Sequence, residues 1–147
     1  MPIPRSGRII AIDWGEVRLG LALSDPTQVI ASPLGALHRR PGKRFPMPAF
    51  LEHVTAHAPV GVVVGLPLTL AGDEEESARA ARDLADGVAS RTGLPIEMVD
   101  ERMTTVRALD TVRALGGGTR GRREDVDALA ATVLLQHFLE IRRNMLA

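Results

Sequence analysis

Apolar residues follow two rhythms along the chain, and the switch between them sets the expected order of elements. Residues 8–12 (Arg-Ile-Ile-Ala-Ile) form a short apolar run that stops at Asp13-Trp14-Gly15. Residues 18–24 alternate apolar with small side chains, as a strand does, and stop at Asp25-Pro26. A turn over 13–17 joins the two as a hairpin, and 29–37 supplies a third strand of the same meander. Phe50, Leu51 and Val54 then fall at helical spacing ahead of Pro59. Residues 60–65 (Val-Gly-Val-Val-Val-Gly) are apolar and β-branched between glycines, the pattern of a central strand buried on both faces. The Ala-rich stretch 74–91 predicts a helix closed by Gly93 and Pro95, and 96–99 predicts a strand running into Asp100-Glu101-Arg102. Thr104 or Thr105 is placed to cap a helix with Val106, Leu109, Val112 and Leu115 on one stripe. After a glycine-rich loop at 116–121, a last helix over 125–145 carries Val126, Leu129, Val133, Leu134, Phe138 and Ile141 as its expected buried stripe.

The order βββαβαβαα predicts an α/β fold: a mixed, mainly parallel sheet with helices on both faces. The 147 residues fit one domain over 1–147, since domains run to about 100–200 residues. Hydrophobic residues at 45% and charged residues at 24% exclude wholesale disorder. Eighteen basic residues balance eighteen acidic ones, which excludes a polycation but leaves room for local patches. With no cysteine, disulfides, thiolate metal sites and a thiol nucleophile are excluded, as suits a reducing compartment. The first residues lack the basic start and apolar core of a signal peptide, and no apolar run approaches the ~20 residues of a membrane span. A cytoplasmic protein with no membrane partner is expected. All basic residues but Lys43 are Arg. That ratio is read as coding bias, so only clusters of Arg carry information.

Ligands of open α/β sheets bind beyond the carboxyl ends of the strands. Acidic residues stand at two such ends, Asp13 after the first strand and Asp100-Glu101 after the last, and Asp127 lies near the start of the final helix. Asp13 interrupts an apolar run and is followed by Gly15, which permits close backbone approach. Converging carboxylates repel one another unless a cation joins them. All-oxygen donors suit Mg²⁺ or Mn²⁺, and two such ions about 4 Å apart would stabilise the attacking and leaving oxygens of a phosphodiester displacement. Singly, each acid also reads as a turn, cap or first-turn residue favoured by the helix dipole.

These acids sit inside four ordered motifs. Asp13-x-Gly15-x-x-Arg18-x-Gly20-x-Ala22-x-Ser24-Asp25 resembles the D-x-G-x-x-R-x-G-x-A-x-S-D opening of the Holliday-junction-resolvase-like family, whose members are also described as pre-16S ribosomal RNA nucleases. Val63-Val64-Gly65-Leu66-Pro67-Leu68 with Gly72 resembles its central-strand motif, and Asp100-Glu101-Arg102-Met103-Thr104-Thr105 its D-E-R-x-[ST]-[ST] motif. Arg123 with Val126-Asp127 and Ala130-Ala131 resembles its last-helix pattern. The likeness spans about residues 8–139. It implies a ribonuclease-H-like fold of order βββαβαβα, metal-dependent cleavage of phosphodiester bonds, and metal ligands at Asp13, Glu101 and Asp127. It thereby selects Glu101 over Asp100. The sequence departs from the pattern at Thr69, where the family usually has Asn, and at Glu124-Asp125, which leaves open whether Asp125 shares the role of Asp127.

Other residues read more plainly. Asp73-Glu74-Glu75-Glu76 are four solvated acids opening a helix, and His38, His53, His57 and His137 show no metal-ligand spacing. Trp14 is read as core between two strands, and Asp25 as a turn-former at the end of the sheet opposite Asp13. Gly65-Leu66-Pro67 is expected to edge the site with backbone. Arg18 and Arg102 are candidates for phosphate contact or for pairing with local carboxylates. Arg39, Arg40, Lys43 and Arg44, and Arg120, Arg122 and Arg123, form two basic segments suited to a nucleic-acid backbone. Structured RNA and branched DNA are the substrates that the resemblance implies, and junction cleavage would further require two sites in a homodimer. A non-catalytic nucleic-acid-binding or regulatory module on the same fold is the alternative. An ATPase of the sugar-kinase and actin type also opens on Asp-x-Gly, but needs two such domains to enclose its nucleotide.

Overall fold

The computed structural model describes residues 2–15, 18–39, 45–103 and 123–145, without the side chains of 103 and 123–126. The helix expected over 106–115 and the glycine-rich loop at 116–121 lie outside the described residues. The elements run β1 (Ile9–Asp13), β2 (Arg18–Ser24), β3 (Ala31–His38), α1 (Met47–His57), β4 (Gly61–Leu66), α2 (Glu76–Thr92), β5 (Ile96–Asp100), a 3₁₀ turn (Glu101–Met103) and α3 (Arg123–Met145). One five-stranded sheet has the order β3-β2-β1-β4-β5. The meander pairs β1 with β2 and β2 with β3 antiparallel, while β4 lies parallel to both β1 and β5. The sheet is thus half parallel, less than the mainly parallel sheet expected, because the meander contributes two antiparallel pairs and the crossovers into β4 and β5 only two parallel ones.

Alternation along the strands divides the core in two. Ile10, Ile12, Leu19, Leu21, Val62 and Val64 face Phe50 of α1 and Ala81, Leu84, Ala85 and Val88 of α2. Ile9, Ala11, Ala22 and Val63 face Ala131, Leu135, Phe138 and Leu139 of α3. β4 is buried along its whole length, as its unbroken apolar run requires. Burying each of its valines contributes about 1.5–3 kcal/mol.

Two helix ends are set by backbone geometry. Gly93 closes α2 in the left-handed region (φ +71°), its N–H donating to the Ala89 carbonyl at 2.9 Å. Ala58 closes α1 in the same way, its N–H donating to the Val54 carbonyl. On α3 the buried positions are Ala128, Ala131, Leu134, Leu135, Phe138 and Leu139, whereas Ile141 is exposed. Leu134 and Phe138 are thus buried as expected, Leu129 and Val133 are half-buried, and the side chain of Val126 lies outside the described residues. The stripe turns toward Ala128 and Ala131 because the helix lies close on β2, and closeness selects alanine over the larger side chains that hydropathy favours. Among the described residues no helix is long and apolar enough to cross a membrane.

Candidate active site and nucleic-acid interface

Asp13 closes β1 opposite Gly20 of β2, and lies one step beyond the last β1–β4 pair, Ile12 with Val64. Gly65 therefore flanks it on the other side. Lateral neighbours in a sheet share a face, so two glycines leave open ground on both sides of the Asp13 carboxyl, on the face that α3 covers. Both openings are filled from elsewhere in the chain. A Cβ at Gly65 would stand 2.3 Å from Glu101 Oε1, and a Cβ at Gly20 would stand 1.9 Å from the Asp127 carbonyl oxygen. Glycine is required at both positions by these close approaches.

Strand register explains which acid reaches the site. Val99 pairs with Gly65 and packs against the α3 side, so Asp100, paired with Leu66, belongs to the other side. The Asp100 carboxylate is taken by Arg102: Nη2 donates to Oδ2 at 2.7 Å, and the Arg102 backbone N–H donates to Oδ1 at 2.9 Å. These bonds hold the Asp100 carboxyl below its ordinary range. Glu101, opening the 3₁₀ turn, meets Asp13 carboxyl to carboxyl. Burial pushes both of these groups up, and their mutual contact raises Glu101 further. Without a cation the two oxygens can approach only by sharing a proton.

Asp127 lies on the first turns of α3, and its charge adds to the rise at Asp13. Its Oδ2 accepts a hydrogen bond from Arg18 Nε at 2.7 Å, and both side chains are about a quarter exposed (24% and 27%). So the structure brings Asp13 and Glu101 into contact and holds Asp127 nearby on Arg18. Among the described residues no three acids or histidines are gathered closely enough to cage one ion. The donor set nevertheless fits a hard divalent cation. It is all oxygen, two of its groups are buried against each other, and the third lies within electrostatic reach.

The other expected residues are distributed unevenly. Arg18 and Arg102 both pair with local carboxylates, and Arg102 Nη1 also donates to the Leu70 carbonyl. Arg39 stacks its guanidinium 4.4 Å above the centroid of the Trp14 ring. Arg40, Lys43, Arg44, Arg120 and Arg122 lie outside the described residues, as do the side chains of Arg123 and Asp125. Asp25 forms its expected turn, accepting from the backbone of Val29 and Ile30 through Oδ1. The acids at 73–76 are exposed. Trp14 is half-buried: it packs on the α2-side core, as expected, and also walls a cavity that the sequence reading missed. Gly87, a lone glycine inside a helix, was the available signal.

Acidic side chains gathered where β1 and β5 end, on a mixed sheet with this strand order and helices on both faces, define an α/β protein of the ribonuclease-H-like class. More particularly, the chain belongs to the RuvX family, described as Holliday junction resolvase, whose model matches residues 7–141. A "Putative pre-16S rRNA nuclease" of Mycolicibacterium paratuberculosis is 44% identical over 142 residues, covering 95% of this chain and 84% of the relative. Another of the same name, from Roseiflexus sp., is 38% identical over 137 residues, covering 93% and 96%. Among solved structures, Thermus thermophilus RuvC in complex with a Holliday junction substrate superposes with a TM-score of 0.59 at 19% identity, covering 94% of this chain and 96% of that one. This last likeness is one of fold.

Proposed function

We propose that this protein is a nuclease that hydrolyses phosphodiester bonds with divalent cations, Mg²⁺ or Mn²⁺, held by Asp13, Glu101 and Asp127. The observation that carries the reading is the contact between the Asp13 and Glu101 carboxyls at the strand ends, over a clearing kept by Gly65. Bound there, the cations would supply the activated water and the charge that stabilises the departing 3′-oxygen. Asp13 stands between the Gly65 clearing that Glu101 enters and the Gly20 approach of Asp127, and would hold the cations together with those two acids. Glu101 reaches over from β5, and Asp127 completes the set from α3. Arg18 holds Asp127 meanwhile and is positioned to turn to a phosphate oxygen. The products would carry 5′-phosphate and 3′-hydroxyl ends.

The substrates that the family and its relatives point to are the 5′ end of precursor 16S rRNA and branched DNA, met in the cytoplasm. Junction resolution would need two such sites in a homodimer, whereas trimming of RNA would not. The test compares one preparation on a four-way junction, a single-stranded RNA and a precursor-rRNA end, with Mg²⁺, with Mn²⁺ and with chelator. Cleavage is expected with metal, none with chelator, and Asp13→Asn should abolish it while fold and nucleic-acid binding persist. Cleavage by Asp13→Asn near the wild-type rate would overturn the reading. One observation favours the alternative of a non-catalytic binding module, namely that Asp127 is paired with Arg18 rather than turned to Asp13. Metal-independent binding with no cleavage of any of the three substrates would establish that alternative.

A further inference from the structure

The α2 face of the sheet carries a second feature close to the acidic site. A cavity of about 610 Å³ opens between the end of β1 and α2, walled by Trp14, Arg39, Phe45, Met47, Gly87 and Arg91. That volume falls within the roughly 300–1,000 Å³ of small-molecule sites. Trp14 directly follows Asp13 and packs on the α2-side core, whereas Asp13 faces α3 between Gly20 and Gly65, so the carboxyl and the indole straddle the same strand end. A chain crossing that end with a phosphate at Asp13 would bring a neighbouring nucleotide toward Trp14.

The lining is suited to an unpaired base. Trp14 and Phe45 offer aromatic surface, and Phe45 is itself braced by Phe50 at a centroid distance of 5.5 Å. The guanidinium of Arg39, its Cζ 4.4 Å from the centroid of the indole, adds a planar, positively charged group beside the ring. Arg91 adds a second cation at the wall, and among the described residues the lining holds one acid, Asp83. Gly87 supplies an independent argument. A glycine inside a helix costs stability that alanine would return. Here a Cβ would meet, among the described residues, only Met47 Cε, at an ordinary 3.6 Å, so their packing does not demand the glycine. What it does is keep the cavity wall back.

We propose that this cavity is a base-stacking subsite, which takes an unpaired nucleobase adjacent to the phosphate at Asp13. The subsite rests on the nuclease reading and narrows its substrate to strands with an unpaired nucleotide at the cleavage point, which a continuous duplex does not offer. Base–aromatic stacking of this kind tolerates any sequence, because every base has a π-face.

Trp14 is the one tryptophan of the chain and there is no tyrosine, so its fluorescence reports on this cavity alone. The experiment uses Asp13→Asn, to prevent cleavage, titrated with a hexanucleotide, with its duplex, and with an abasic sugar-phosphate hexamer of equal charge. RNA and DNA are run in parallel. Quenching of Trp14 by the single strand, little by the duplex, and affinity about tenfold weaker for the abasic hexamer are expected. Gly87→Leu, which fills the cavity on a helix that gains propensity, should weaken single-strand binding to the abasic level and leave the protein folded. Equal affinity for abasic and normal strands without quenching, while wild-type protein still cleaves, would overturn the subsite and leave the nuclease reading standing. If wild-type protein neither binds nor cleaves any of the three, both fall.

Discussion

Gly20 and Gly65 would each be crowded by one added methyl group, with opposite consequences. At Gly20 the methyl would collide with the Asp127 carbonyl, a backbone atom that moves only if α3 moves. Gly20→Ala should therefore destabilise the fold by about 1–3 kcal/mol, as overpacking does. At Gly65 the methyl would meet the far end of the Glu101 side chain, which can swing away. Gly65→Ala should cost less than about 1 kcal/mol but displace the Glu101 carboxyl, proposed above to hold a cation, and misplacement of that order lowers cleavage about 100-fold. Urea unfolding and single-turnover cleavage of the two variants separate the effects. A Gly65→Ala protein that cleaves at the wild-type rate would remove Glu101 from the site. Thr69 shows that a departure from the family pattern can be absorbed locally. Its hydroxyl accepts the Asp73 backbone N–H at 3.0 Å, as the side-chain oxygen of an asparagine would.

Between residue and fold, the β2–β3 connection is organised by one carboxylate. Asp25 accepts through Oδ1 from the Val29 and Ile30 N–H groups, each at 2.8 Å, and through Oδ2 from the Thr27 backbone and hydroxyl. The bond from Ile30, first, and that from the Thr27 hydroxyl hold this carboxyl far below its ordinary range. A depressed acid stabilises the fold fully above its unfolded pKa, about 3.9, and loses that contribution as pH falls through the lower folded value. Asp25→Ala should thus cost about 1 kcal/mol at pH 7, a figure discounted for solvent exposure, and the gap to wild type should begin to narrow below about pH 4 and close only as pH falls through the lower folded value. A deficit independent of pH in unfolding at pH 7 and pH 3 would contradict this. The turn also shows what a sequence reveals. Strands were legible because β-branched runs such as Val62–Val64 have one stable fate, burial on both faces. The start of β3 was not, since Val29 and Ile30 look like strand residues but are drawn into the Asp25 turn and left exposed. The phase of α3 was legible only in part because its contact face is built on alanine. Asp13 could be placed from the sequence by the strand it ends. Choosing between Asp100 and Glu101 required the register of β5 against β4, which local pattern does not carry. The cavity beside Trp14 is assembled from three separate stretches of chain and had no local signature but Gly87.

The molecule as a whole is electrically balanced, yet its strand ends are not. Asp13, Asp100, Glu101 and Asp127 gather acid there, of which Arg18 and Arg102 pair Asp127 and Asp100. Beyond the acidic site, attraction for a polyanion needs clustered basic residues, and the sequence supplies two groups without an intervening acid. Arg39, Arg40, Lys43 and Arg44 form one. Arg120, Arg122 and Arg123 form the other, just ahead of the helix that carries Asp127. Each phosphate contact releases counterions, so log affinity falls with log salt by about 0.7–0.9 per contact. Neither group is interleaved with aromatics in sequence, so neither carries a ladder of rings to read bases one by one, although Arg39 of the first group lies over Trp14 in the stacking cavity. Replacing Arg120, Arg122 and Arg123 together with Gln should weaken binding alike across sequences and flatten the salt slope by about one to three units. Quenching of Trp14 at saturation should survive in the triple variant, because the stacking cavity lies on the α2 face of the sheet, opposite α3, the helix that Arg123 opens. Binding isotherms at several salt concentrations, on one single strand and one junction, measure both slope and amplitude. An unchanged slope on both substrates would mean that these three arginines do not touch the backbone, and would shift the electrostatic footprint to the 39–44 segment.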